Sequence, residues 1–129
     1  MMDNKESNSI IGKKSYAFAS EIIIIYKTLT TDKNEFILSK QLLRRGTFIG
    51  ANVHEALSGE SKKDFIHKLS IALKKPKETA YWLNFLKDSH YISSQQFKNL
   101  NTICKELIKI LSSIILTMKQ KYFLITLNS

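Results

Sequence analysis

Apolar residues recur along this chain at helical spacing, in four stretches separated by short polar breaks. In the first, residues 10–29, Phe18, Ile22, Ile25 and Leu29 keep a 4-3-4 interval and so share one helix face. The β-branched run 22–25 also suits a strand, but no second strand pattern exists to pair with it. Residues 30–34 form the first break, where Asp32 followed by Glu35 has capping-box spacing for the next helix. That helix is expected over 35–57, with Leu38, Leu42, Ile49, Val53 and Ala56 on one face and Gly46 in the remaining turn. A mid-helix glycine costs about 1 kcal/mol against alanine, so Gly46 implies a close neighbour. Gly59 follows in the place of a left-handed C-cap.

Ser61 with Asp64 caps a third helix reaching residue 88. Phe65, Ile66, Leu69, Ala72, Leu73 and Pro76 share its inner face, continued by Ala80 and Leu83. Pro76 lacks a backbone donor and is expected to kink or divide this helix. Ser93 with Gln96 caps the fourth, whose Phe97, Leu100, Cys104, Leu107, Leu111, Ile114 and Met118 form an unbroken heptad seam. Ile103, Ile108, Ile110 and Ile115 make a second stripe beside it. The apolar tail 122–127 either extends the helix or docks elsewhere.

The expected organisation is a flexible N-terminus at 1–9, a bundle over 10–121 and an apolar tail at 122–129. Connections this short force antiparallel neighbours, so the fold class is all-α, an up-down-up-down four-helix bundle. One inner stripe per helix fills one core. Ile71, Tyr81, Trp82 and Phe85, with the second isoleucine stripe, exceed that need. Monomers rarely expose such a contiguous patch, so a homo-oligomer is expected, with Ile71, Tyr81, Trp82 and Phe85 in the subunit interface.

Composition agrees with long helices, since the chain has only four glycines and one proline, too few for the turns of a β-sandwich. The glycines also lack any phosphate-loop spacing. The net charge of +9 is uneven: residues 61–129 hold twelve basic and four acidic side chains, residues 1–60 eight and seven. A polyanion is the natural partner, whether RNA, DNA, or an acidic protein or membrane surface. The alternative is a solvated lysine surface. Arg44 and Arg45 are the sole arginines, which argues against base-specific readout. Lys62, Lys63, Lys74 and Lys77 fall within about 120° of the third helix's wheel, with Lys68 and Lys75 further round its outer side. Cys104 is the only cysteine, which suits a reducing cytoplasm, and its apolar seam marks a buried, inert thiol. The polar N-terminus carries no signal core, and no apolar run is long enough for a membrane span. A soluble, cytoplasmic protein without membrane association is expected.

No catalytic constellation emerges. His54-Glu55 begins the zinc-protease helix motif, but the second histidine's place is Ser58. The Glu-x-x-His di-iron pattern fails: Glu55 meets Ser58, Glu78 meets Tyr81 and Glu106 meets Lys109. His67 and His90 have no ligand at metal spacing, and no nucleophile elbow exists. The chain is expected to be no enzyme and to use neither metal nor cofactor.

Residues 42–86 carry a recognisable pattern in Arg44-Arg45, Ile49, Asn52, Glu55, Ser61, Phe65, Ala72, Glu78 and Tyr81-Trp82-Leu83. It resembles a bacterial four-helix-bundle family encoded in intervening sequences of large-subunit ribosomal RNA genes. The chain departs from that pattern at Phe48 in place of serine, Ala56 in place of glycine, and Lys74-Lys75-Pro76 in place of small residues. The family is similar in fold to the accessory variability determinants of diversity-generating retroelements, which are basic homopentamers binding nucleic acid and a reverse transcriptase. The resemblance therefore implies a homopentamer and no catalytic residue. On the second helix's wheel, Arg45 and Asn52 share one side, and Arg44 and Glu55 the opposite one. Asn52 and Glu55 suit structural hydrogen bonds between helices or subunits. Arg44 and Arg45 suit either those or a polyanion.

Two functions follow as expectations. The first is a nucleic-acid-binding oligomer using Arg44, Arg45, Lys62, Lys63, Lys68, Lys74, Lys75 and Lys77 on phosphates. The second is an adaptor oligomer that recruits a protein partner, such as a nucleic-acid-processing protein.

Overall fold

Every element of the chain is helical in the computed structural model, which describes residues 4–59 and 61–127. The helices are α1 (Asn4–Thr31), α2 (Leu38–Leu57), α3 (Lys62–Asp88) and α4 (Ser94–Leu127), and no strand occurs among the described residues. α1 starts at Asn4, ahead of the expected residue 10, and α4 continues through the apolar tail to Leu127.

The helix ends show which side chains set them. Glu35, not Asp32, starts α2: its carboxylate accepts the backbone N–H groups of Ile37 at 3.0 Å, Leu38 at 2.8 Å and Ser39 at 2.7 Å. α2 therefore opens at Leu38, later than the expected residue 35. Gly59 is not left-handed. A Cβ there would stand 2.9 Å from Asp64 Oδ2, whose side chain can turn aside, and 3.1 Å from the Ala56 carbonyl, which would have to give slightly. The Ser61 hydroxyl accepts the Asp64 N–H at 3.0 Å and caps α3. Ser93 and Gln96 cap α4 reciprocally, at 3.1 and 2.8 Å.

α3 passes through Pro76 as one helix, so the proline does not divide it. Pro76 lies buried beside Thr79, whose hydroxyl donates to the Lys75 carbonyl at 2.7 Å. This bond lets a polar residue occupy the core face. Among the described residues no buried side-chain nitrogen or oxygen lacks a hydrogen-bond partner.

Each helix packs on its chain neighbour, and α4 returns to α1 across a sparser contact. Gly12 faces Leu57, Gly50 faces Ser15 and Gly46 faces Ile22. Between α2 and α3, Arg45 meets Glu78 and Glu55 meets Lys68. One core runs through the bundle, with Phe18 and Ile22 of α1, Leu42 and Ile49 of α2, Leu69 and Leu83 of α3, and Leu107 and Leu111 of α4 fully buried. Each such side chain contributes about 1.5–3 kcal/mol relative to exposure.

Three of the four residues of the second α4 stripe belong to this core, and the fourth, Ile108, is half-buried outside it. Ile115 is buried, and Ile103 and Ile110 are half-buried against the core. A bundle helix flanked by two neighbours buries a broad face, which a single seam underestimates. No helix among the described residues is long and apolar enough to cross a membrane.

Candidate nucleic-acid interface

α3 carries Lys62, Lys63, Lys68, Lys74, Lys75, Lys77 and Lys87 against Asp64, Glu78 and Asp88. Ion pairs sort these lysines into two groups. Lys68 Nζ lies 3.6 Å from Asp64 Oδ2 and 3.9 Å from Glu55 Oε2 of α2. Lys75 Nζ lies 3.5 Å from Glu78 Oε2 and 5.7 Å from the centre of the Phe48 ring. Lys87 reaches Asp88 at 3.8 Å and sits 4.2 Å over the Phe97 ring of α4. Every carboxylate of α3 is thus matched with a lysine.

Lys62, Lys63, Lys74 and Lys77 are exposed, with no ion pair among the described residues. They are the four that the helical wheel groups within one sector, whereas Lys68 and Lys75 turn toward α2.

The two arginines part company. Arg45 is half-buried; its guanidinium donates to Gln41 Oε1 at 2.7 Å and lies 3.6 Å from Glu78 Oε2. Arg44 is exposed, with no ion pair among the described residues. Glu55 links α2 to α3 through Lys68, while the Asn52 amide donates to the Phe48 carbonyl of its own helix at 3.0 Å.

The apolar set also divides. Trp82 and Ile71 are half-buried, Trp82 against the core. Tyr81 and Phe85 project outward, 57% and 43% exposed. Their rings meet edge to face at 5.0 Å, and Tyr81 meets Trp82 the same way at 5.4 Å. Larger exposed apolar surfaces lie elsewhere, at Tyr16 and Ile24 of α1, Phe36 and Ile37 before α2, and Leu116, Phe123, Leu124 and Leu127 of α4. The wheel did not join Leu116 to the apolar tail, although Leu116, Phe123 and Leu127 stand seven and four residues apart and share one helix face.

Chemistry is sparse. No group of three or more His, Cys, Asp or Glu that could hold a metal occurs among the described residues. Burial pushes the Cys104 thiol up to about 12, which keeps it protonated and unreactive. The cleft at the α2–α3 turn contains His54, Glu55, Asp64 and Lys68, but Lys68 engages both carboxylates.

Such a molecule is a basic all-α bundle whose outer lysines are its most distinctive chemistry. Residues 7–113 match the sequence profile of the 23S rRNA-intervening sequence protein family, and the chain belongs to that family. A crystal structure from Bacteroides thetaiotaomicron VPI-5482, of a protein with unknown function from the S23 ribosomal protein family, superposes with a TM-score of 0.82. It is 45% identical, and the match covers 84% of this chain and 97% of that one. Among curated proteins no sequence matches this chain.

Proposed function

We propose that this chain is a non-enzymatic, up-down-up-down bundle that assembles into a homopentamer and binds RNA or DNA through phosphate contacts. One observation carries the binding reading: all three carboxylates of α3 are matched with lysines, while Lys62, Lys63, Lys74 and Lys77 are exposed on one outer face with no ion pair among the described residues. Exposed Arg44 extends the basic surface from α2. A protein of net charge +9 adds long-range attraction for a polyanion. Self-association would cover Tyr16 and Ile24 of α1 and Leu116, Phe123 and Leu127 of α4, the more exposed apolar side chains. The buried free thiol Cys104 suits a reducing cytoplasm.

Gel retardation with structured ribosomal RNA and with duplex DNA at two salt concentrations tests the binding. Loss of both complexes at low salt would sink it. Light scattering tests the assembly, for which about five times 14.9 kDa is expected. Exposed Phe36 and Ile37, outside the surface given to assembly, also support a second reading, an adaptor oligomer that recruits a nucleic-acid-processing protein. A pentamer that binds no nucleic acid would favour it.

A further inference from the structure

We propose that the outer ridge of α3 is a track for single-stranded nucleic acid, in which Lys74 and Lys77 hold phosphates while Tyr81 and Phe85 stack bases. This rests on the nucleic-acid reading above and names the form of the ligand. Lys63, Lys74, Lys77, Tyr81 and Phe85 are all exposed and recur at intervals of three, four or eleven residues, so they line one face. At 1.5 Å per residue the ridge spans about 33 Å, long enough for several nucleotides.

The cationic and aromatic parts are contiguous, Tyr81 following Lys77 by one helical turn. Proteins that grip single strands combine these two elements, a positive path for the backbone and exposed rings for base faces. A duplex keeps its bases stacked inside and would leave both rings unused. The rings are also braced. Trp82, half-buried against the core, lies 5.4 Å from Tyr81 and 5.9 Å from Phe85. Each carboxylate of α3 has a cation beside it: Glu78 faces Arg45 and Lys75, Asp64 lies 3.6 Å from Lys68, and Asp88, one turn beyond Phe85, lies 3.8 Å from Lys87.

Trp82 is the only tryptophan, so its fluorescence reports on this end of α3. The full chain is titrated with oligo(U), oligo(dT), and RNA and DNA duplexes of equal length at one salt concentration. Single strands should bind more tightly than duplexes and quench Trp82. Replacing Tyr81→Ser and Phe85→Ser together should weaken single-strand binding by about tenfold or more while leaving duplex affinity within about twofold. Tyr81→Phe, which keeps the ring, should preserve binding. Lys74→Gln with Lys77→Gln should weaken both ligand forms.

If no polynucleotide binds even at low salt, the nucleic-acid reading and this inference fall together. Equal affinity for single strands and duplexes, untouched by the aromatic replacements, would overturn the track alone and leave the lysines as a phosphate stripe. A serine double variant with lowered assembly mass and unchanged strand preference would assign the rings to a subunit contact and overturn it equally.

Discussion

A Cβ added to Gly46 of α2 would stand 2.8 Å from Cγ1 of Ile22 on α1, 3.0 Å from Cγ2 and 3.3 Å from Cβ. These atoms lie at the root of a stiff β-branched side chain in full burial, so they cannot swing aside. Gly46→Ala should therefore destabilise. The helix-propensity gain of about 1 kcal/mol competes with an overpacking cost of about 1–3 kcal/mol, and the rigid neighbour favours the cost. Gly50 is the control, since its Cβ would meet the Ser15 carbonyl at an ordinary 3.4 Å. Gly50→Ala should be neutral or stabilising by up to about 1 kcal/mol. Urea denaturation of both variants decides it, and a stabilised Gly46→Ala would contradict the close α1–α2 approach.

Glu35 is 7% exposed, yet it must be charged to hold the start of α2. Burial alone would raise its pKa, but the backbone N–H groups of Leu38, Ser39 and Ile37 outweigh burial and leave it below the ordinary 4.5. Its stabilising contribution is therefore present above the unfolded value and is lost as pH falls through the lower folded one. Glu35→Ala should cost about 1–3 kcal/mol at neutral pH, since it orphans the buried Ser39 N–H and the part-buried N–H groups of Ile37 and Leu38. Wild type and variant should converge in stability as the pH drops below 4.5. Parallel stability curves across that range would remove Glu35 from the cap.

His90 ends α3 in a left-handed conformation, with φ of 63°. Its N–H donates to the Lys87 carbonyl at 3.0 Å, and the Tyr91 N–H to the Leu86 carbonyl at 2.8 Å, the two bonds of a Schellman turn. Histidine carries a Cβ penalty there of about 1–2 kcal/mol that glycine escapes, against a glycine entropy loss of about 0.5–1 kcal/mol. His90→Gly should raise the melting temperature slightly, with stability up by about 0.5–1 kcal/mol. A lowered melting temperature would show that the imidazole contributes more than its backbone strain costs.

The helix count and most of the core were legible because the 3-4 spacing of α4 fits only a helix. Leu100, Cys104, Leu107, Leu111 and Ile114 are all buried, and Phe97 and Met118 pack against that core. Capping by Ser61 and Ser93 was legible too, since those hydroxyls reach only local backbone. The α2 start was not, because a glutamate reaching forward over three N–H groups departs from the usual Asp or Ser pattern. The division of the α3 lysines was legible on the wheel, which sets Lys62, Lys63, Lys74 and Lys77 apart from Lys68 and Lys75. The α2–α3 register that places Glu55 beside Lys68 and Arg45 beside Glu78 was not, because spacing within one helix does not contain it.

That division makes the salt dependence of binding a sharp test of which lysines act. Each phosphate neutralised on duplex DNA contributes a slope of about −0.9 to log K against log salt. Lys62, Lys63, Lys74 and Lys77 are exposed and have no ion pair among the described residues, so their charge is available to a phosphate. Lys68, Lys75 and Lys87 are held by Asp64, Glu78 and Asp88 and would have to give up those pairs. Replacing the first four with glutamine should weaken binding uniformly across sequences and flatten the slope. Replacing the second three should change the slope far less. It also strands carboxylates, but exposed ion pairs are worth only about 0–1 kcal/mol, so the fold should survive. Both variants are to be compared at matched helicity by circular dichroism. Equal flattening in the two sets would mean that the ion pairs do not select the binding face, and the whole basic surface would then act as one diffuse field.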